Sequence, residues 1–450
     1  MMLYSEQVQH LSATDNGFIH VLEALKSLKK IKSPRVLNFS HNDLDGIGSA
    51  VIMRRLLQQY TNAEVVTKLP PHFKLTAPEL QRALESDSFD MLLLTDKGTF
   101  DYYDDFLGMV KQVVIIDHHP NDGMPKRCVL FNPSAEQSVP SAASLLCHMV
   151  SSKLELADEC DDFAALLGCR GDFAFDPVQK TSVDFVKPFV TRMQEEFPNM
   201  FEPRLDRATI FDIVDRERTA LINQIAEVLH VGCLAHMYAR VHENIDVDYG
   251  PGFVFEILSA FLSKRVKVEK FRSLSDFMGS LPDGEKLVSV FEYYKRDWDL
   301  LSRRAENASV LLGAINGVGI YILFAREATA MHGAPFPALL PYVASARLEP
   351  LKRESGYPHT MVIVFCPKDR GVHISMRGGG GLVGCGAMCS ELANRLQKRY
   401  PEQGGIGGGG HDRAAECVVD RPVPMYAVMH ELLMLIEEMA KKSKGTSSSL

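Results

Sequence analysis

Short apolar runs alternate with amphipathic segments along the N-terminal part of the chain. The runs at 35–40, 91–96 and 112–117 have the length of buried strands. The segments at 18–31 and 48–60 have the spacing of helices. Apolar strands that alternate with helices are typical of a mostly parallel sheet covered by helices. The pattern therefore predicts an α/β fold with a mostly parallel sheet.

A second alternation of strands and helices begins near residue 306. "ASVLLGAI", "GIYILFA" and "TMVIVFC" look like strands, and "GCGAMCSELANRLQKRY" has helical spacing. We therefore predict two α/β domains, the C-terminal one smaller. The predicted boundaries are a helical extension at 1–34, a first domain at 35–245, a helical linker at 246–305, a second domain at 306–440 and a disordered tail at 441–450.

Composition narrows the possible partners. The net charge is −8, whereas proteins that coat long nucleic acids usually carry a strong basic surplus. No apolar run reaches the roughly 18 residues of a membrane span, so we expect no membrane partner. The nine cysteines include no C-x-x-C pair, which favours reduced thiols inside the cell. We expect a cytoplasmic protein; the final Ser-Ser-Leu weakly resembles a peroxisomal address but lacks its basic middle residue.

Acids and histidines cluster after the predicted strands. In open parallel sheets, ligands bind beyond the carboxyl ends of the strands. An isolated Asp there is usually a helix cap or a turn residue. The positions concerned are His41, Asp43 and Asp45, which alternate and should share one side of an extended segment, then Asp96, then Asp117, His118 and His119, and finally Asp172 after a helix.

Clustered carboxylates raise each other's pKa unless a positive charge offsets them. A divalent cation supplies that charge. Oxygen ligands with a few imidazoles suit Mn²⁺ or Mg²⁺ better than zinc or iron. The residues alone therefore favour a metal site over four separate structural acids.

"HNDLDG", "TDKG", "DHH" and "GD", in this order, resemble the four motifs of the DHH phosphoesterase superfamily. RecJ-type exonucleases and nanoRNases belong to it. "HISMRGGGG" followed by "GGIGGGGHDRAAEC" resembles the substrate-binding DHHA1 domain, which is marked by a GGGH turn. The resemblance covers roughly residues 35–175 and 355–420. It implies a DHH domain and a DHHA1-type domain with a cleft between them.

The resemblance also implies roles for the clustered side chains. It implies two Mn²⁺ ions, with Mg²⁺ or Co²⁺ as substitutes, and catalysis by a metal-activated water. Asp117 would orient a histidine, and His119 would contact a phosphate oxygen or the leaving group, although the division between His118 and His119 is open. The implied ligands are His41 and Asp43 for one ion, Asp45, His118 and Asp172 for the other, and Asp96 as the bridge.

The glycine-rich end has two interpretations. A glycine run is often a flexible loop, but backbone amides without a Cβ can also form an anion-binding nest. Arginine pairs bidentately with phosphate, although a surface salt bridge is the alternative role for Arg413. The family resemblance implies that these residues face the metal site and hold a terminal phosphate. The substrate-binding set is then His119, Arg377, Gly408, Gly409, Gly410, His411 and Arg413.

Several positions depart from the family pattern. His41 stands two residues before Asp43, unlike the wider spacing of the cyclic-dinucleotide group. Phe173 follows Asp172 where many members have Thr, and Glu416 stands where the family often has Gly. The run Gly378–Gly381 beside an arginine is also unusual.

The leading functional hypothesis is a metal-dependent phosphodiesterase that cuts short oligonucleotides from one end to 5′-mononucleotides. A nucleotide phosphatase for 3′,5′-bisphosphates and a cyclic-dinucleotide phosphodiesterase are enzyme alternatives. A RecJ-like scaffold or an RNA-binding module is the alternative without catalysis, and the complete set of acids argues against both. A homodimer is one option for the oligomeric state, which the sequence leaves open.

Overall fold

The computed structural model describes residues 2–121, 123–264, 267–315, 317–324, 336–368, 371–379, 384–401 and 405–446. The chain divides into two compact units, 1–239 with 243–291, and 240–242 with 292–450. The predicted α/β class with two domains is confirmed.

The first unit is built on a five-stranded parallel sheet with the order β2-β1-β3-β4-β5. Its central strands are almost entirely buried, as their largely apolar sequences predict. The strands are β1 (Arg35–Ser40), β2 (Glu64–Lys68), β3 (Met91–Thr95), β4 (Gln112–Ile116) and β5 (Val129–Phe131).

Helices surround this sheet, together with two short antiparallel pairs, β6 (Phe175–Asp176) with β7 (Thr181–Ser182) and β8 (Arg204–Leu205) with β9 (Arg218–Thr219). Short 3₁₀ helices lie at Asp101–Gly108 and Val268–Lys270. The α-helices are α1 (Tyr4–Thr14), α2 (Asn16–Leu28), α3 (Leu44–Thr61), α4 (Ala77–Glu85), α5 (Ala143–Lys153), α6 (Glu159–Gly171), α7 (Lys187–Glu196), α8 (Pro198–Phe201), α9 (Leu221–Cys233), α10 (Ala235–Ala239), α11 (Gly250–Ser263) and α12 (Leu274–Ser280).

Small residues bring α3, α5 and α6 close together behind the sheet. A Cβ at Gly48 of α3 would lie 2.8 Å from the carbonyl oxygen of Ala164 in α6. A Cβ at Gly168 of α6 would collide with the Ser144 hydroxyl of α5 and lie 2.6 Å from Oδ1 of Asp45. This close packing brings the end of α6 beside the first turn of α3.

The segment predicted as a helical linker belongs mostly to the first unit. Helices α11 and α12 bury apolar residues there, including Leu258, Phe261 and Phe277. The charged residues that suggested a linker lie on the solvent side of amphipathic helices, so the periodicity was a better guide than the charge. Helix α13 (Gly284–Ala308) extends past residue 291, where the first unit ends.

The second unit contains a six-stranded mixed sheet with the order β10-β11-β12-β13-β15-β14. Strands β11 and β12 are parallel, and the other neighbours are antiparallel. The elements are β10 (Ser309–Ile315), β11 (Val318–Phe324), α14 (Phe336–Ser355), β12 (His359–Lys368), β13 (Gly371–Gly378), α15 (Cys385–Arg399), β14 (Ile406–His411), β15 (Ala414–Val419) and α16 (Met425–Thr446).

The glycine run Gly407–Gly410 is neither a loop nor a turn. It forms β14, an edge strand that pairs with β15. Glycine is needed because α15 packs directly on it, and a Cβ at Gly408 would collide with the Cys389 carbonyl. The predicted nest is wrong for this strand, because consecutive amides of a strand point in opposite directions.

The last helix also differs from the prediction. Helix α16 continues to Thr446, so residues 441–446 are helical, whereas we expected a disordered tail from residue 441. The terminal Ser-Ser-Leu lies outside the described residues. Among the residues that the structure describes, no helix has both the length and the hydropathy that a bilayer crossing requires.

The packing of α6 against α5 predicts opposite effects of alanine at two helical glycines. Gly168→Ala should lower the free energy of unfolding by about 1–3 kcal/mol, because its Cβ must displace the Ser144 hydroxyl. Gly279→Ala is the control, since a Cβ there meets nothing within 4 Å, and it should gain up to about 1 kcal/mol. Thermal unfolding midpoints measure both; equal midpoints would contradict the packing described here.

Candidate metal centre

The sheet register places three motifs at one level of its carboxyl edge. Ser40 pairs with Thr95, and Thr95 pairs with Ile116. The next residues along these three strands are His41, Asp96 and Asp117. Their side chains are therefore neighbours because the strands are parallel and in register.

The first motif splits between two groups. Asp43 caps α3 by accepting a hydrogen bond from the amide of Gly46 at 3.0 Å, and Asp45 lies in the first turn of that helix. The expected common side of an extended segment is wrong, because the helix begins at Leu44, between Asp43 and Asp45, and the backbone is not extended beyond that point. Asp43 lies 2.8 Å from Nδ1 of His41, whereas Asp45 points to a different group. Gly46 is required here, since a Cβ would collide with the His41 carbonyl.

Asp96 lies between the two groups. Its Oδ2 is 3.7 Å from Nδ1 of His41, and its Oδ1 is 3.2 Å from Nε2 of His118. The side chain is buried, and neither oxygen meets hydrogen-bond geometry with a donor of the described residues. Its backbone is left-handed, with φ 57°, which is uncommon outside glycine and costs about 1–2 kcal/mol. Buried, unsatisfied oxygens on a strained residue are typical of a ligand position.

Asp45, His118 and Asp172 form the second group. Nε2 of His118 lies 3.0 Å from Oδ2 of Asp172 and 3.7 Å from Oδ2 of Asp45. Asp45 also accepts hydrogen bonds from the amides of Ala143 at 2.6 Å and Ser144 at 3.0 Å. It therefore caps α5 as well, and the positive end of that helix helps to stabilise its buried charge.

Asp117 contacts His119 rather than His118. Its Oδ1 is 2.9 Å from Nδ1 of His119, while its Oδ2 accepts from the Thr99 hydroxyl at 2.9 Å. The side-chain amide of Asn132 donates to the Thr99 hydroxyl and to the His119 carbonyl. Asp117 is fully buried, and this network holds the His119 ring in one orientation.

The charges within the site perturb one another. Burial would lower the pKa of His41, but the Asp43 and Asp96 carboxylates raise it to about 10. Burial first, and then the Asp172 and Asp96 charges, raise the pKa of Asp45 well above its ordinary value. The imidazoles therefore do not offset the full negative charge of this cluster.

The donor set fits divalent cations. His41, Asp43 and Asp96 offer ligand atoms within 4.8 Å of one another, and so do Asp45, His118 and Asp172. Carboxylates with one imidazole in each group suit Mn²⁺ or Mg²⁺, and a cation would satisfy the buried Asp96 oxygens. A further group, Asp96, Asp117 and His119, has the same spacing, so the geometry leaves room for His119 as a ligand.

Several residues of the site have no recognisable sequence signal. Ser144 donates to Asp45, and Thr99 and Asn132 hold Asp117. The ring of Phe73 lies 5.4 Å from His41 and 4.6 Å from His119. Single Ser, Thr, Asn and Phe residues are too common to be noticed before the fold brings them to the site.

The predicted substrate-binding residues of the second unit lie on two of its strands and one turn. Arg377 of β13 donates to the carbonyls of Met376 at 2.9 Å and Ala415 at 3.2 Å, and lies 3.6 Å from Glu416. Gly408, Gly409, Gly410 and His411 are in β14, and exposed Arg413 is in the turn before β15. That these residues face the metal centre stays a prediction.

Comparison with known families accounts for this arrangement. Residues 35–169 match the DHH family, N-terminal domain. This region of the chain is a DHH domain. The prediction of a DHH-type phosphoesterase, a hydrolase of phosphoester bonds, is thereby confirmed at the level of the family. A comparison with curated proteins finds no match.

Solved structures share the DHH fold over nearly the whole chain. The exonuclease RecJ bound to manganese is 14% identical, with a TM-score of 0.55, covering 93% of each chain. The DHH domain of a member of the s1p family of ribosomal proteins is 12% identical, with a TM-score of 0.61, covering 97% of this chain and 93% of that one. CDC45 from Entamoeba histolytica is 8% identical, with a TM-score of 0.55, covering 92% and 98%. At these identities the likeness concerns the fold alone.

The position of Asp96 between the two ligand groups predicts the effect of its removal. Mn²⁺ should raise the thermal midpoint of the wild type by several degrees, and Asp96→Asn should lose most of that shift. Asparagine tolerates a left-handed backbone, so the variant should keep its fold. Exposed Asp299→Asn is the matched control. An unchanged Mn²⁺ shift in Asp96→Asn would contradict the assignment.

The raised pKa of His41 predicts how cation affinity depends on pH. His41 carries its proton up to a pH of about 10, and only a neutral imidazole can bind a cation. Cation binding should therefore release a proton, and Mn²⁺ affinity should rise by up to about tenfold per pH unit between pH 6 and 9. Calorimetric titration in buffers of different ionisation enthalpy measures both; an affinity that stays constant with pH would refute His41 as a ligand.

Proposed function

We propose that the protein is a metal-dependent phosphodiesterase that hydrolyses short oligonucleotides from one end to 5′-mononucleotides. One observation carries the proposal. Two groups of cation-type ligands lie on either side of Asp96, at the carboxyl edge of a parallel sheet. An arrangement of this kind suits a phosphate bridging two cations.

The chain's own residues would divide the work. His41 and Asp43 would hold one cation, Asp45, His118 and Asp172 the other, and Asp96 both. Bound cations of this type supply an activated water and offset negative charge at phosphorus. The RecJ structure bound to manganese supports Mn²⁺ as the ion. Mg²⁺ or Co²⁺ would be the substitutes.

We infer that His119 contacts the substrate while Asp117 holds its ring in one orientation. Asp117 engages its Nδ1, so a contact to a phosphate oxygen or the leaving group would be made through Nε2. The Thr99 hydroxyl donates to Asp117, and the Asn132 side-chain amide donates to the His119 carbonyl, so both residues of this pair are held in place. Asp117 is therefore a positioning residue, and His119 is the candidate catalytic one.

The second unit would bind the substrate's end. Arg377, His411 and Arg413 are donors suited to a terminal phosphate. Glu416 lies 3.6 Å from Arg377 and 3.0 Å from His373, so part of this positive charge is already offset. A weakly basic binding surface suits a short substrate better than a long polyanion.

The shared fold does not separate an enzyme from a protein without catalysis. RecJ and CDC45 resemble this chain with the same TM-score of 0.55. The acids separate the two possibilities. Buried carboxylates repel one another and destabilise the fold, so their retention in two groups favours a chain that binds cations. The complete ligand set therefore favours an enzyme.

A substrate panel tests the proposed activity. With Mn²⁺, we expect a dinucleotide and a five-nucleotide RNA to be converted to 5′-mononucleotides faster than long single-stranded DNA, a cyclic dinucleotide, a 3′,5′-bisphosphate or polyphosphate. Asp96→Asn should lose at least about a hundredfold in rate, because one oxygen of the shared carboxylate is gone. Asp299→Asn should act as the wild type does.

Chromatographic separation of the products identifies both the substrate and the end that is attacked. If the bisphosphate were turned over faster than the oligonucleotides, the result would contradict the phosphodiesterase and favour a phosphatase. A wild type inactive on every member of the panel would remove the enzymatic function altogether.

A further inference from the structure

Helix α6 ends in an unusual way beside the metal centre. The amide of Phe173 donates to the Arg170 carbonyl at 3.1 Å, and that of Ala174 to the Cys169 carbonyl at 2.9 Å. These two bonds define a Schellman motif, in which the residue after the cap is left-handed and is usually glycine. Phenylalanine occupies that position here, with φ 55°. A bulky residue in this conformation is strained, and such strain is typically retained at functional sites.

The Phe173 ring gains little burial in return. It is 39% exposed, although it is large and apolar. Below it lies the guanidinium of Arg170, 5.2 Å from the ring centre, and the ring of Phe211 is 5.3 Å away. The ring is therefore held from one side and remains open on another.

Arg170 is a rigid support for this ring. It is fully buried and donates to Oδ1 of Asn223 at 2.6 Å and to the carbonyls of Phe175 at 2.6 Å and Phe211 at 2.7 Å. Three of its five N–H groups thus donate to acceptors of the surrounding protein. A supported aromatic ring at a fixed angle is a suitable surface for stacking.

Phe173 is adjacent in sequence to a residue of the second ligand group. Phe173 follows Asp172, which lies 3.0 Å from His118. Phe211, which contacts Phe173, lies 6.2 Å from the ring of His230. A substrate whose phosphate reached the ligand groups would therefore bring its adjoining nucleoside near this ring.

We propose that Phe173 is a stacking platform for a nucleobase. The base would belong to the nucleotide whose phosphate binds at the metal centre. This inference rests on the proposed function and deepens it, because it assigns the residue that contacts the base of the nucleotide. Polyphosphate or a sugar phosphate, which has no base, would not gain this contact. Every base has a π-face, so stacking on Phe173 selects for a base without selecting among bases.

Binding of two small probes tests the platform separately from turnover. AMP and ribose 5-phosphate share the phosphate and the sugar, and only AMP carries a base. Each is titrated calorimetrically into the full chain in Mn²⁺, as wild type, Phe173→Leu, Phe173→Tyr and Phe173→Gly. Tyr426→Ala, which removes a 73% exposed aromatic residue, is the control.

We expect AMP to bind about tenfold or more weakly to Phe173→Leu and Phe173→Gly, and as in the wild type to Phe173→Tyr and to the control. Ribose 5-phosphate should bind all five proteins equally. The thermal midpoint of Phe173→Gly should stay within a few degrees of the wild type, because glycine relieves the backbone strain. If the ring served only packing, its removal in Phe173→Gly would lower the thermal midpoint.

Three results would overturn the platform: equal AMP affinity in wild type and Phe173→Leu, an equal loss for ribose 5-phosphate, or no binding of AMP to the wild type. A different result would contradict the proposed phosphodiesterase activity and leave the stacking platform intact. The wild type would then bind AMP more tightly than ribose 5-phosphate, through Phe173, and yet turn over no phosphodiester.

Discussion

Repulsion among buried carboxylates is the constraint on which the rest of the structure depends. Parallel strands in register bring His41, Asp96 and Asp117 to one edge of the sheet, and α3 and α6 add three more acids. Imidazoles and a helix N-terminus offset only part of this charge, as the raised pKa of Asp45 indicates. A divalent cation would stabilise the cluster with its carboxylates ionised, and phosphoester chemistry is what such a cluster supports.

Much of the first unit serves to hold these charges in place. Asp45 points at His118 and caps α5 at the same time, so the position of a ligand candidate and the packing of a helix are coupled. Gly168 allows α6 to approach that same carboxylate. Thr99 and Asn132 fix Asp117, and through it His119. Substitutions at such positions should therefore disturb stability and the site together.

The sequence predicted features whose signal is local. The strands β1, β3 and β4 are largely apolar runs, and the polar residues after them identified the site. Their pairing in register is a property of the sheet, yet the rule for parallel strands was sufficient to anticipate it. The helical start at Leu44 was missed, because "NDLDG" reads equally well as a turn, and so the different directions of Asp43 and Asp45 were missed too.

Features that depend on distant packing were not predictable in this way. The glycine run forms β14 because α15 lies against it, and the supposed linker helices join the first unit because their apolar faces find partners there. Phe173 was noticed as a departure from the family, but its left-handed backbone and the buried arginine beneath it are visible only in three dimensions.

Locating the cations tests the central claim most directly. Anomalous scattering from crystals of the Mn²⁺-loaded protein would show where Mn²⁺ binds and how many ions each chain holds. We expect two ions per chain, one bound by His41 and Asp43, the other by Asp45, His118 and Asp172, and both by Asp96. A single ion, or ions bound elsewhere with Asp96 unliganded, would contradict the account.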